Sequence, residues 1–588
     1  MATKLPPVDI AIIGFGWTGG ILAKELADTG LKIVAFERGG KRTTDPDFLE
    51  PRKDDEIRYA NRTELMIDTR METVSFRNTA DQTALPMRRL GSFLPGTGVG
   101  GAGVHWNGVT WRWLEWDHQA YTRTVAKYGK DIIPADMQLQ DWPLTYDEIE
   151  PYYDKFEKTC GVSGKAGNLN GAKVDGGNFF EGSRTSDYPN PPLTSSQAMV
   201  MFDTATRALG YHPFPSPASN ASQAYTNPDG VQFNQCHYCG FCERFGCEAD
   251  AKASPHFTVI PIAMKNPNFE LRANSQVLKI NMDPDGKKAT GVTYLDSRGR
   301  EMEQPASLVI ISAFALNNVH LMLYSKIGKP YDPKTGEGVV GRNYAYQGGG
   351  SATGFFGSDV VTNPFMGAGA LSMCIDDFNG DSYDFKQAGY IGGGGISASS
   401  SGGRPIGYHP TPPGTPKWGS DWKKAVVAAY NHTIGVGNQG SVMSYRQNHL
   451  DLDPTYTDNF GRPLLRMTFD FQDNEWKQMQ AATDIAKKIV QQMGGTVIST
   501  ALPAKPYSIV PYQSTHNTGG TVMGADPTTS VVNKYLQVWD AENVFVTGAS
   551  VFPQNAGKNP TGPVGALAYW AADAIHKYLK NPGPLVQA

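Results

Sequence analysis

Four of the chain's six cysteines fall within twelve residues, CHYCGFCERFGC, as Cys236, Cys239, Cys242 and Cys247, spaced C-x2-C-x2-C-x4-C. Thiolates this close together suit a soft metal. A zinc ribbon pairs two C-x2-C units across a longer hairpin, whereas iron–sulfur clusters bind tight runs such as C-x2-C-x2-C-x3-C, one residue shorter in the last gap than this one. The run favours an iron–sulfur centre, with zinc, disulfides or free thiols as the alternatives. Cys160 and Cys374 stand alone and read as buried thiols.

A second constellation is built of glycines. VDIAIIGFGWTGGILAKELADTGLKIVAFE reads as a buried strand (Val8–Ile13), a tight turn, a helix from Trp17 to about Thr29, and a second strand (Leu31–Phe36) ending at Glu37. Gly14, Gly16 and Gly19 fill the positions of a G-x-G-x-x-G turn, whose missing side chains let the backbone turn sharply, approach a pyrophosphate at a helix N-terminus and pack helix on strand. Glu37 stands where an acid binds a ribose hydroxyl. The stretch predicts dinucleotide binding without separating FAD from NAD. A second glycine-rich loop, GTGVGGAGVHWNGVTWRW (Gly96–Trp113), has too many glycines for a regular element and must press against a flat or highly charged partner. His516 lies in a third loop, STHNTGGTVMG. After it come a strand, a loop through Asn559 and Pro560, and a final helix from about Thr561.

Around these loops the chain is that of a large folded protein. Its 588 residues allow two or more domains, and Lys+Arg 53 against Asp+Glu 57 gives a net charge of −4, with no basic excess for nucleic acid. The first residues carry no secretory or twin-arginine signal and no apolar run approaches a membrane span, so the chain taken alone reads as cytoplasmic. There are no repeats. DNEWKQMQAATDIAKKIVQQMGG predicts an amphipathic helix closed by Gly494 or Gly495, SLVIISAFALNNVHLML (Ser307–Leu323) reads as strand-like, and Gly392–Pro405 reads as a flexible surface or lid loop.

The N-terminal fingerprint, the loop Gly98–Arg112, the segment Ser307–Leu323 and the block His516–Asp573 together resemble the glucose–methanol–choline (GMC) family of FAD oxidoreductases. GVGGAGVHWNG and THNTGG…GKNPTGPVGA are most similar to pyranose oxidases and to the flavoprotein subunits of bacterial gluconate, 2-ketogluconate, sorbitol and fructose dehydrogenases. The resemblance implies an α/β fold with a Rossmann-like FAD domain (1–160, 225–335, 505–588). The rest (161–224, 336–504) would form an α+β substrate domain on a mostly antiparallel sheet. It makes His516 the catalytic base and Asn559 its partner, and a neutral imidazole is suited to take a hydroxyl proton. It makes His105 the residue covalently bonded to FAD, and it implies further FAD contacts at Gly100, Gly101, Asn107, Val277, Gly548, Ala549 and Thr561. It implies a [3Fe–4S] centre held by three of the four clustered cysteines, relaying single electrons to a cytochrome. The implied activity is oxidation of a secondary alcohol of a sugar acid or polyol, as in gluconate 2-dehydrogenase. Partners would be a small subunit carrying an export signal and a membrane-anchored multihaem cytochrome c, on the periplasmic side of the cytoplasmic membrane. The alternatives are a pyranose-oxidase-like enzyme using O2, for which the cysteines would have no purpose, and a non-catalytic electron-transfer flavoprotein subunit, which would not need His516 beside Asn559. Arg446 is a candidate for a substrate carboxylate, while Trp106, Trp111, Trp113 and Trp116 read as packing.

Overall fold

The computed structural model describes residues 2–49, 62–89, 91, 93–399, 401–512 and 514–587. Apolar runs too short for helices and flanked by glycine become the buried parallel strands of a nine-stranded sheet. Phe269–Arg272, Ile33–Phe36, Val8–Ile13, Glu301–Ile311 and Ala541–Val546 lie side by side and parallel. Glu301–Ile311 does double duty: its first half pairs antiparallel with Ala289–Leu295, which continues into Gln276–Met282, and its second half carries the parallel neighbours. Ile10, Ala11, Ile12, Val309, Ile310 and Ile311 are completely buried.

The fingerprint helix, Trp17–Glu25, follows the first strand and runs into a 3-10 turn at Leu26–Thr29. Beside it pack the final helix, Thr561–Lys580, and the helix Tyr146–Cys160, which Thr145 and Glu148 start with a reciprocal capping box. The segment expected as strand-like from Ser307 to Leu323 is strand only to Ile311. Phe314, at φ 75°, turns the chain into a helix at Ala315–Ser325, and the Asn318 side chain accepts the Ala313 N–H to fix that turn.

A second, six-stranded sheet is antiparallel throughout, ordered Val497–Ala501, Ser351–Phe355, Thr433–Gly440, Gly394–Ser399, Ser372–Ile375 and Phe214–Pro215. The helix Asp473–Gln492 lies on it and ends at Met493 and Gly494, the latter at φ 91°, as its sequence predicted. This is the α/β architecture with a mostly antiparallel second sheet that was expected. A four-stranded sheet, His449–Thr457, Pro463–Thr468, Val74–Arg77 and Leu85–Pro86, packs against the helix Ala315–Ser325.

The expected lid loop is a correction. Gly394–Ser399 is an inner strand of the six-stranded sheet, and residue 400 lies outside the described residues. The glycines serve close approach instead of mobility. The Gly395 N–H bonds the Gly557 carbonyl at 3.2 Å, and a Cβ on Gly557 would lie 2.5 Å from Gly394 Cα. The strand is thus pressed against the loop that carries Asn559.

Candidate active site

The carboxyl ends of four parallel strands, at Ile13, Phe36, Ser312 and Thr547, open into one cavity of about 420 Å³. Two helices begin at its wall, at Trp17 and Thr561, so unpaired backbone N–H groups face it from two sides. The three fingerprint glycines divide the work. Gly14, at φ 91°, makes the turn, and a Cβ there would sit 2.5 Å from the Ser312 carbonyl oxygen. A Cβ on Gly19 would strike the Gly14 carbonyl oxygen, so Gly19 packs helix on strand and does not itself line the cavity. Gly16 has only ordinary contacts and faces the open space. Glu37, buried, accepts the N–H groups of Phe15 (3.2 Å), Gly39 (2.9 Å) and Gly98 (3.1 Å), tying the two glycine loops together at the cavity wall. Burial raises its carboxyl above the usual range despite those donors.

Gly101, His105, Asn107, Val277, Gly548, Ala549 and Thr561 line the cavity, whereas Gly100 lies behind it with its N–H on the Phe15 carbonyl at 2.8 Å. The glycine turn, the acid and the two helix N-termini around this cavity fit FAD. His105 Nε2 faces the Leu94 carbonyl at 3.2 Å, which requires Nε2 to carry the proton, and Nδ1 is then a buried lone pair with no hydrogen-bond partner. Burial pulls this imidazole down to about 4, so it is neutral at ordinary pH.

The cysteine run borders the same cavity through Glu243 and Arg244, and the Arg244 N–H donates to the His105 carbonyl at 2.6 Å. Lys252, fully buried, has its Nζ 2.8 to 3.1 Å from the carbonyls of Val104, Trp106, Cys242 and Phe245, so one ammonium holds both loops. The Tyr238 N–H faces Cys236 Sγ at 3.5 Å and Asn220 Nδ2 faces Cys242 Sγ at 3.6 Å, while the Phe241 and Gly369 N–H groups bond Cys239 and Cys242. Burial, with the neighbouring thiols adding to it, raises Cys236 and pushes Cys239 up to about 11. The four thiols are neighbours with N–H donors aimed at three of them, but they do not close into the expected ligand set. Among the described residues no three His, Cys, Asp or Glu side chains stand in a metal-holding group.

His516 and Asn559 are brought together. Asn559 Nδ2 lies 3.1 Å from His516 Nε2, and the amide is held the right way round because its Oδ1 accepts the Trp111 indole N–H at 3.0 Å. On the other side Gln347 Nε2 donates to the carbonyls of Ala556 (3.3 Å) and Lys558 (3.4 Å), which turns Gln347 Oε1 toward His516 Nδ1, a close contact. A carbonyl oxygen facing Nδ1 demands a proton there, and an amide N–H facing Nε2 demands a lone pair. The chain of amides therefore fixes one tautomer, with Nε2 free to accept. Burial drops the ring's affinity for a second proton to about 3. Trp111 is thus more than packing, and neither it nor Gln347 carried a spacing signal in the sequence. Arg446 is not at the site: it is exposed and donates to the Pro333 and Lys334 carbonyls, both at 2.8 Å.

Two segments, 221–347 and 444–568, match the GMC oxidoreductase family. Over the whole chain and 97% of its own length, the gluconate 2-dehydrogenase flavoprotein of Pantoea cypripedii is 48% identical. The chain belongs to the GMC oxidoreductase family. This GMC oxidoreductase is an FAD-dependent enzyme acting on alcohols. More distant similarity extends to the fructose dehydrogenase large subunit of Gluconobacter japonicus, 24% identical over 99% of this chain and 100% of that one. The crystal structure of pyridoxine 4-oxidase from Mesorbium loti shares the fold, with a TM-score of 0.58 at 16% identity over 97% of this chain and 99% of the other.

Proposed function

We propose that this GMC oxidoreductase oxidises a secondary alcohol of a sugar acid or polyol, in the manner of gluconate 2-dehydrogenase, with His516 as the base. The observation that carries the reading is the fixed tautomer: in the cavity wall stands a neutral imidazole whose unprotonated Nε2 accepts the Asn559 amide N–H. Bound FAD supplies the hydride acceptor. A substrate hydroxyl set between the two side chains donates its proton to Nε2 and accepts an N–H from Asn559, so the amide holds the oxygen without competing for the proton. Nδ1 keeps its own proton on Gln347, which is unable to take it, so the proton gained stays on Nε2 until it is passed to solvent. The full-length similarity to a gluconate 2-dehydrogenase flavoprotein supports a sugar acid as substrate.

The same reading assigns the remaining parts. The unpartnered Nδ1 of His105 in the cavity wall supports a covalent attachment of FAD there. The thiol run beside the cavity supports an iron–sulfur centre on Cys236, Cys239, Cys242 and Cys247 as the exit for single electrons, after a closing of the ligands that the present arrangement lacks. The similarity to a dehydrogenase large subunit supports partner subunits for this chain; in this reading they are a cytochrome c and an export-signal subunit at the periplasmic face of the membrane. Among the described residues no helix is long and apolar enough to cross a membrane. The FAD domain is assigned to 1–160, 225–335 and 505–588.

The test pairs a sugar-acid and polyol panel, with dye and oxygen as acceptors, with His516→Ala. The variant keeps its flavin and loses about 10² to 10⁴ in kcat, the usual worth of a placed base. Turnover at the unaltered rate in flavin-loaded His516→Ala ends the assignment. Iron and acid-labile sulfide in anaerobically purified protein test the thiol run, and zinc or no metal there removes the relay.

A further inference from the structure

We propose that the buried ion pair of Asp376 and Lys558 is a positioning device: acting through Trp111, it sets the orientation of the Asn559 amide and so keeps His516 Nε2 unprotonated for the substrate. The proposal rests on the reading of His516 as the base.

Lys558 precedes Asn559, yet its side chain turns away from the cavity and is buried with its Nζ 2.5 Å from Asp376 Oδ2. Asp376 follows the strand Ser372–Ile375 of the six-stranded sheet and is saturated there: Asn178 Nδ2 donates to it at 2.7 Å and Asn379 Nδ2 at 3.1 Å. The ammonium also stands 4.7 Å over the Trp111 ring. That ring gives its N–H to Asn559 Oδ1, and its backbone is wedged under the final helix, where a Cβ on Gly562 would strike the Trp111 carbonyl oxygen. One charged pair thereby fixes both the residue before Asn559 and the group that decides which way its amide points. An ion pair this deeply buried is a poor source of stability compared with apolar packing, and its retention beside a catalytic amide calls for a job in positioning.

The consequence is electrostatic. With the amide as found, its N–H donates to Nε2 and favours the neutral ring. Turned over, its oxygen would face Nε2 and favour a proton there while Gln347 still claims the one on Nδ1, so the ring would be driven to its charged form. His516 is faced by Gln347, by Asn559 and, at its own carbonyl, by Asn555 Nδ2 at 2.7 Å, all neutral. The titratable groups on those elements are Tyr346, whose hydroxyl bonds the Ser514 carbonyl, and Lys558, held by Asp376. Neither bonds the imidazole directly. Loss of the clamp should therefore move the acid limb of kcat/KM upward from its place far below neutrality, while burial, which is unchanged, still holds it below the ordinary histidine value.

The experiment compares wild type with Trp111→Phe, which removes only the indole N–H, and with the double variant Asp376→Asn/Lys558→Met, which avoids leaving a lone buried charge. Flavin content, the pH profile of kcat/KM and the primary deuterium isotope effect on a carbon-deuterated substrate are measured on the flavin-loaded enzyme. Unchanged flavin content is expected, with kcat down about tenfold or more, a larger isotope effect, and an acid limb moved upward by about one pH unit or more. An acid limb unmoved in soluble, flavin-loaded Trp111→Phe overturns the proposal, as does a loss of flavin in that variant. If instead His516→Ala retains activity, the base assignment itself has failed, a result separable from either.

Discussion

Replacing Lys252 with methionine should detach the thiol run from the loop that carries His105 without disturbing the sheets. The ammonium has three protons and four carbonyls within reach, two on each loop. Three charge-assisted hydrogen bonds at about 1.5–3 kcal/mol each stabilise the junction by roughly 5–9 kcal/mol, and several kcal/mol are offset by taking a charge out of water. The carbonyls left behind remain buried, and at about 1–3 kcal/mol for each unsatisfied acceptor the net cost to the junction is about 3–5 kcal/mol. Because the strands of the two large sheets lie elsewhere, that energy appears as local opening and not as global unfolding. At 1.4 kcal/mol per tenfold, amide exchange of residues 242–247 should accelerate by about 10² to 10⁴. The Arg244 amide is the direct reporter, since it donates to the His105 carbonyl at 2.6 Å across the junction. Hydrogen exchange read by mass spectrometry on the flavin-loaded protein, with circular dichroism as the control for global structure, measures it. Exchange at the wild-type rate in this segment would mean that backbone contacts alone hold the loops, and the reasoning from the ammonium would be refuted.

Gly19→Ala should release FAD, because its Cβ would strike the Gly14 carbonyl oxygen, which is backbone and unable to move aside; a variant with full flavin content contradicts the packing role. Acid-precipitated wild type should stay yellow and fluoresce on a denaturing gel while His105→Ala should shed its flavin, and colourless wild-type precipitate excludes the covalent bond. His118, fully buried with burial pulling it down to about 4, is neutral in the folded state and charged in the unfolded one, so its stabilisation is full above pH 6.5 and is lost as pH falls below that. Wild type should lose about 2 kcal/mol more than His118→Phe between pH 7 and pH 5, read by urea unfolding; equal losses contradict the assignment.

What could be read from the sequence was what repeats locally. The βαβ fingerprint is a run of neighbouring residues obeying one steric rule, and strand, turn, helix and acid all fall where expected. The amphipathic helix Asp473–Gln492 carries its own period and cap. The loop reading of Gly392–Pro405 holds for 401–405 but failed over Gly394–Ser399, because glycine permits two opposite outcomes: freedom where nothing is near, and close packing where another backbone is. Only the position of Gly557 decides between them. Gln347, Trp111, Asp376 and Lys252 escaped for a related reason. Each acts on a loop remote in the chain, Lys252 on a segment almost 150 residues away and Trp111 on one 448 residues away, and no spacing rule reaches that far.

The placement of charge around the base follows a consistent logic. A carboxylate against His516 Nδ1 would have fixed the same tautomer as Gln347 does, but an anion within about 4 Å favours the protonated ring and commonly raises its pKa by one to three units, holding the base charged before substrate arrives. An ammonium against Nε2 would bring a like charge against the imidazolium that forms when the base takes its proton. The fold instead surrounds the imidazole with neutral amides, each oriented by a further hydrogen bond, and keeps Lys558 and Asp376 behind Trp111. Amides can turn over at little intrinsic cost, so a neutral shell is only as directional as the groups that orient it. A base that must stay unprotonated yet well aimed therefore needs rigid charged partners at one remove, which is where the ion pair stands.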